Sequence, residues 1–225
     1  MERLISTLSK CPVFNNMSEN EIESVLKEYK YMTEAFERGE VIFRAGDKSR
    51  RIGIIIYGCL EMRKYLPSGN ILSMFHRKEG EMTGGSIAFS GSPKYPCDVI
   101  AKEQSRILWI DRDEIFEMVS KNRKIATNIL RISADRIMCL EKRIELFSFY
   151  SIRDKIAFSL INDLSAREGV EIILPFTKTA WAEYLNVSRT SSSRELKSME
   201  LDGIIKVNGN KIIPLDIGEL NKVMW

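Results

Sequence analysis

Between Ala35 and Ile110 the apolar residues fall in short β-branched runs: Val41-Ile42-Phe43, Ile52 to Tyr57, Ile71 to Phe75 and Ile107 to Ile110. Glycines at Gly39, Gly46, Gly58, Gly69, Gly80 and Gly91 punctuate them, at spacings of roughly ten residues, which predicts an antiparallel sandwich or barrel. The segment reads as one jelly-roll domain. Ahead of it, Leu4 to Met32 has helical spacing. Ser18 stands three residues before Glu21, and Ile22, Val25, Leu26 and Tyr29 follow at helix periods, the signature of a capping-box helix start. After Asp111, an N-cap candidate, the chain runs to about Phe147 without Pro or Gly and reads as one long helix.

Within that helix Ala126, Leu130, Ser133, Ile137, Leu140, Ile144 and Phe147 recur at alternating spacings of four and three, and all but Ser133 are apolar. Such a seam suits a two-stranded coiled coil, with Leu130, Ile137, Leu140 and Ile144 as the dimerisation contacts. A second stripe, Ile125, Ile129 and Ile132, lies on a neighbouring face and is expected to pack on the barrel of the same chain. The alternative is an amphipathic helix buried wholly within its own monomer.

Beyond it, Ser148 to Ala166 reads as another helix, broken near Gly169, and Val170 to Leu174 as a strand. Two short helical segments then flank the turn Leu185-Asn186-Val187-Ser188. Asn208-Gly209 between two β-branched runs is a strong hairpin signal. The fold expected is α+β: an N-terminal antiparallel jelly-roll barrel (1–111), a long dimerisation helix (112–147) and a C-terminal winged helix-turn-helix (148–225).

With 225 residues, 44% hydrophobic and 29% charged, the chain can bury two ordinary cores. No run approaches the roughly 18 apolar residues of a membrane span, which places the protein in the cytoplasm with no membrane partner. The net charge of +3 is too small to indicate nucleic acid by itself, and basic and acidic residues balance from Ser148 onward. An argument for DNA therefore rests on where the charges stand. Cys11, Cys59, Cys97 and Cys139 are scattered without a CxxC pair, and His76 is the single histidine, so no metal site and no cofactor is predicted. A metal-dependent enzyme on a jelly roll would need several histidines plus a glutamate, so the chain is not read as an enzyme.

The chemistry lies between Thr177 and Lys197. The first helix of a helix-turn-helix needs small residues where the second crosses it, and the second needs an N-cap followed by exposed polar residues. Trp181, Leu185, Val187, Leu196 and Met199 can fill the interior, Ala182 allows close approach, and Ser188 can cap the second helix. Thr177, Ser188, Arg189, Thr190, Ser191, Ser193, Arg194 and Lys197 remain as DNA contacts. Small hydroxylated side chains let a helix enter the major groove, and Arg can reach phosphate or grip guanine through O6 and N7. A winged helix used for protein contacts is the rival reading.

The run VSRTSSSRELKSMELDGII (187–205) closely resembles the recognition helix and following turn of Crp/Fnr regulators, and RGEVIFRAGD (38–47) is similar to the entry of their cyclic-nucleotide-binding-like barrel. With Ile54 to Gly58, Gly80-Glu81 and the long helix, the resemblance covers nearly the whole chain. It implies a homodimer on a palindromic double-stranded DNA operator, an effector in the barrel that alters the angle between domains, and RNA polymerase as a partner if the protein activates. Thr190 stands where the catabolite activator protein and the Fnr regulators carry Glu, so the half-site is expected to differ from theirs. Ser192 replaces an apolar residue usual in the family.

In cyclic-AMP-binding members a Glu holds the ribose and an Arg-Ser pair the phosphate and base. By resemblance, Gly85 occupies the Glu position and Tyr95-Pro96 the Arg-Ser position. Loss of a buried Arg–phosphate pair removes roughly 2 to 5 kcal/mol, so cyclic AMP is not the expected ligand. A different, unidentified small effector is expected at Gly84, Gly85, Ser86 and Tyr95. The alternative is that the segment is only a barrel turn.

Overall fold

The computed structural model describes residues 2–65, 71–174 and 177–222. The expected turn at Gly69 lies outside them. Two compact units emerge, 1–135 and 136–225, with the boundary inside a helix.

In the first unit, α1 (Glu2–Leu8) and α2 (Glu19–Glu28) precede eight strands: β1 (Met32–Phe36), β2 (Val41–Phe43), β3 (Arg51–Tyr57), β4 (Cys59–Tyr65), β5 (Ile71–Lys78), β6 (Met82–Thr83), β7 (Asp98–Ala101) and β8 (Ser105–Asp111). They form two antiparallel four-stranded sheets in the orders β1-β8-β3-β6 and β2-β7-β4-β5, the jelly roll expected. The capping box of α2 is complete: the Ser18 N–H donates to Glu21 at 2.7 Å, and the Glu21 N–H donates to the Ser18 hydroxyl at 3.3 Å.

The alternation of β3 and β8 supports two cores. Ile55, Ile107 and Trp109 face inward with Phe43, Leu60, Met62, Tyr95, Cys97 and Val99 between the sheets. Ile52, Ile54, Ile56, Leu108 and Ile110 face the other way, against the helices. Gly53 is required where β3 crosses β8, since a Cβ there would lie 2.5 Å from the Trp109 ring.

The uninterrupted helix expected after Asp111 is instead two, α4 (Arg112–Lys121) and α5 (Arg123–Ser148). Asn122 adopts an extended conformation, and its side-chain oxygen accepts from the N–H groups of Lys124 at 3.0 Å and Ile125 at 3.2 Å. An Asn whose side chain replaces the missing carbonyl partners starts a new helix without any Pro or Gly. The stripe Ile125, Ile129 and Ile132 packs on the outer core of the barrel. Buried Asn128 adds two bonds, to the carbonyls of Val13 (2.9 Å) and Asn15 (2.8 Å).

The second unit contains the rest of α5, then α6 (Ile152–Phe158), which continues through a π-helical turn to Asp163. The strand expected at 170–174 is shorter, β9 (Ile172–Ile173). It is followed by α7 (Lys178–Tyr184), α8 (Arg189–Leu201), the hairpin β10 (Ile205–Asn208) and β11 (Lys211–Pro214), and α9 (Ile217–Lys222). The small sheet has the order β10-β11-β9. Trp181 is fully buried at its centre, and its indole N–H donates to the Ser159 hydroxyl at 3.0 Å. Removing a buried Trp of this kind costs about 3–5 kcal/mol.

Candidate nucleic-acid interface

The α7–turn–α8 geometry follows from three local devices. The Thr177 hydroxyl accepts the Ala180 N–H at 3.2 Å and starts α7. Asn186 takes a left-handed conformation (φ 53°), which Asn tolerates because its side chain is short and polar. The Ser188 hydroxyl then accepts the Ser191 N–H at 3.0 Å and starts α8. Buried Trp181 on α7 shares one core with buried Leu196 and Met199 on α8, and Ala182 and Ser192 are buried as well. Ser192 is inside, although the resemblance noted in the sequence puts an apolar side chain there.

Burial at 192, 196 and 199 sends the opposite face of α8 to solvent at 100° per residue. Thr190, Ser193, Arg194 and Lys197 are exposed on it, Arg189 is exposed at the helix start, and Ser191 is half-buried. Thr177 and Ser188 are also exposed, with their hydroxyls already engaged in capping. The hydroxyls of Thr190 and Ser191 lie 2.9 and 2.8 Å from that of Ser188, so the helix start carries a linked hydroxyl cluster.

Arg189, Arg194 and Lys197 have no ion-pair partner among the described residues. The contrast is Arg153 on α6, whose guanidinium donates to Glu195 at 2.6 Å, Asp202 at 2.6 Å and Ser198 at 3.0 Å on the back of α8. These contacts hold its pKa above the ordinary value, the Glu195 bond most of all. Glu195 of α8 and Asp202 just past its end thus neutralise a structural cation away from the exposed face. The cations in front remain available to a polyanion. Sequence reasoning missed Arg153, although an Arg at the start of one amphipathic helix and two acids seven residues apart, on one face of another, were visible.

In the barrel, Gly84 and Tyr95 come together. Gly84 is left-handed (φ 77°) and caps the four-residue α3 (Gly85–Ala88). A Cβ there would lie 2.8 Å from the Arg51 carbonyl and 3.0 Å from the Tyr95 hydroxyl. Tyr95 is buried and stacks on Phe43 (centroids 4.1 Å apart), which meets Trp109 edge-on at 5.6 Å. The Tyr95 hydroxyl and the Trp109 indole N–H make no hydrogen bond of good geometry among the described residues, with Ser49 and Thr83 the polar side chains that act on the Tyr95 hydroxyl. Burial pushes the Tyr95 phenol well above its usual value, partly opposed by the charge of Arg51. Arg51, missed from sequence, lies 5.2 Å over the Trp109 ring and 3.3 Å from Glu34. Gly85 is half-buried and Ser86 exposed, both in the first turn of α3.

Among the described residues no helix is long and apolar enough to cross a membrane, and no three His, Cys, Asp or Glu side chains gather as a metal site.

Comparison with known families finds the cyclic nucleotide-binding domain over residues 33–122 and the Crp-like helix-turn-helix domain over 155–223, in that order. The chain is a Crp/Fnr-type transcription regulator. Among the relatives of this regulator is the cyclic AMP receptor protein of Thermus thermophilus, 19% identical, with 87% of this chain aligned to 88% of the relative. The regulatory protein HlyX of Actinobacillus pleuropneumoniae is 26% identical over 78% of this chain and 75% of its own. A variant of CooA from Carboxydothermus hydrogenoformans shares the fold, with a TM-score of 0.62 at 16% identity over 94% of this chain and 92% of that one.

On the correspondence expected from the sequence, Gly85 and Tyr95 stand where a cyclic nucleotide would need a carboxylate and a guanidinium. Gly85 offers no carboxylate. At the position expected to bring a guanidinium, Tyr95 is stacked inside the barrel core with an unsatisfied neutral hydroxyl.

Proposed function

We propose that this regulator works as a cytoplasmic homodimer that reads a palindromic operator with α8 in the major groove, under the control of a small effector other than cyclic AMP. The uncommitted cations on the exposed face of α8 carry this reading. Arg194 and Thr190, with Ser193 beside them, sit where base edges would be met. Arg189, Lys197 and the helix starts at Thr177 and Ser188 sit where phosphates would run.

The seam of α5 supports dimerisation. Leu130, Ile137, Leu140, Ile144 and Phe147 are between 45% and 71% exposed, a stripe that a single chain leaves wet. In a parallel pair the flanking heptad positions set Arg136 of one helix opposite Glu141 of the other. Gly84, Gly85, Ser86 and Tyr95 are the proposed effector contacts. If the protein activates, RNA polymerase is the further partner.

The test is binding-site selection on duplex DNA at two salt concentrations. Arg194→Ala is expected to cost about 1–3 kcal/mol per half-site and to relax preference at one base pair. Arg189→Ala is expected to weaken binding evenly across sequences and to flatten the salt dependence. An unchanged selected motif and affinity for Arg194→Ala would remove α8 as the reader.

A further inference from the structure

The C-terminal half of α5 belongs to the compact unit of the reading head. Leu146 is fully buried in that unit's core, and Phe149 packs 5.3 Å from Phe158 of α6. One turn earlier, the Arg143 guanidinium lies 5.2 Å from the ring centroid of Phe147 and 5.1 Å from that of Tyr184. Phe147 is the last position of the apolar seam and is 45% exposed. Tyr184 is the last residue of α7, immediately before the turn that aims α8. Arg143 has no ion pair among the described residues. One cation therefore bridges an aromatic ring on the seam and an aromatic ring on the helix-turn-helix.

We propose that Arg143 is a positioning residue that fixes the direction of α8 relative to the dimer seam. A guanidinium between two rings is held by attraction to both faces, and the hold strengthens as the rings are covered. In a dimer, the partner helix covers Phe147, so the clasp is tightest when the seam is closed. Seam closure and a fixed α8 direction then occur together, and the two recognition helices keep the spacing that two half-sites demand. Arg136 and Arg143 thereby divide two jobs: the former flanks Glu141 of the partner helix, and the latter turns to its own reading head. The inference rests on the proposed dimer and its operator.

The test compares the full-length protein with Arg143→Met, Tyr184→Leu and Tyr184→Phe on two operators. One carries the half-site spacing selected by the wild type. The other has one base pair inserted, which shifts the half-sites by about 3.4 Å and rotates them. Sedimentation and thermal melting are followed in parallel.

Arg143→Met is expected to remain a dimer, to lose about tenfold in affinity for the native spacing from two clasps per dimer, and to lose less on the inserted spacing. Discrimination between the two operators shrinks. Tyr184→Leu should behave alike, the Arg143→Met/Tyr184→Leu double variant should be no worse than either alone in discriminating the operators, and Tyr184→Phe, which keeps the ring, should keep the wild-type discrimination between the two operators.

An equal loss on both operators, or undiminished discrimination, would overturn the positioning role. If Arg143→Met does not fold, the Tyr184 pair gives the same two readings. A wild type that dimerises and selects an operator while the variants keep its spacing preference overturns the clasp alone. A wild-type monomer, or one that selects no operator, overturns the clasp together with the dimer reading.

Discussion

Replacing Arg153 with Met removes the cation that clamps α6 to the back of α8 while keeping much of its apolar stem. Its guanidinium contacts Glu195, Ser198 and Asp202, spaced three and four residues apart on one face. The side chains of Arg153, Glu195 and Asp202 are 32%, 26% and 46% exposed, so solvent screens both ion pairs. Each pair then contributes roughly 0.5–1 kcal/mol, and the hydrogen bond to Ser198 adds about 0.5–1.5 kcal/mol. The sum is about 2 kcal/mol, which for a unit of this size lowers the melting temperature by on the order of 10 °C. Hydrogen exchange followed by mass spectrometry should show faster exchange of α8 amides, with residues 2–65 unaffected. Because Arg153 touches nothing on the groove-facing side, operator affinity should fall without a change in the selected sequence. A melting temperature within about 2 °C of the wild type, with α8 protection intact, would show that the apolar contacts alone hold α8.

Three further outcomes are expected. Leu140→Lys should give monomers by sedimentation and weaken operator binding, because like charges then meet in the seam. Cyclic AMP should produce no binding heat in calorimetry near physiological concentration; micromolar affinity would contradict the reading of Gly85 and Tyr95. Glu21 is bonded to Lys124 at 2.6 Å and to the Ser18 N–H, which lower its pKa from 4.5 to about 2. Its carboxylate therefore stabilises the fold above pH 4.5, and that contribution is lost as the pH falls towards 2. Glu21→Gln should flatten acid unfolding in this window, and an unchanged acid profile would refute the assignment.

What was legible in the sequence was what depends on short-range rules. The strands between glycine turns, the Ser18–Glu21 box and the Asn208-Gly209 hairpin all follow from period and turn chemistry within a few residues. The helix break at Asn122 was missed because helix breakers were sought among Pro and Gly. Asn interrupts by a different route, offering its side-chain oxygen to the next turn. Arg51, Arg143 and Arg153 were missed because each acts across the fold, on distant partners such as Trp109 for Arg51, Tyr184 for Arg143 and Asp202 for Arg153. Tyr95 was placed at the barrel site by alignment alone, and its stacking on Phe43 could not be inferred from either residue's neighbours.

The division of charge in the C-terminal unit bears on how DNA would be held. Acids and bases balance there, so the unit has no overall field to attract a polyanion. What it has is an asymmetry around one helix: Glu195 and Asp202 neutralise Arg153 behind α8, while Arg189, Arg194 and Lys197 stand unpaired in front. In a dimer the front set amounts to about six cations. If Arg194 is spent on bases, about four remain for phosphates, and the slope of log affinity against log salt should be near −3.6. A steeper slope would require further cations such as Lys178 or Lys206 to reach the backbone. A slope near zero would mean that α8 does not lie between phosphates at all, and the exposed face of this helix would then have to be read as a surface for protein.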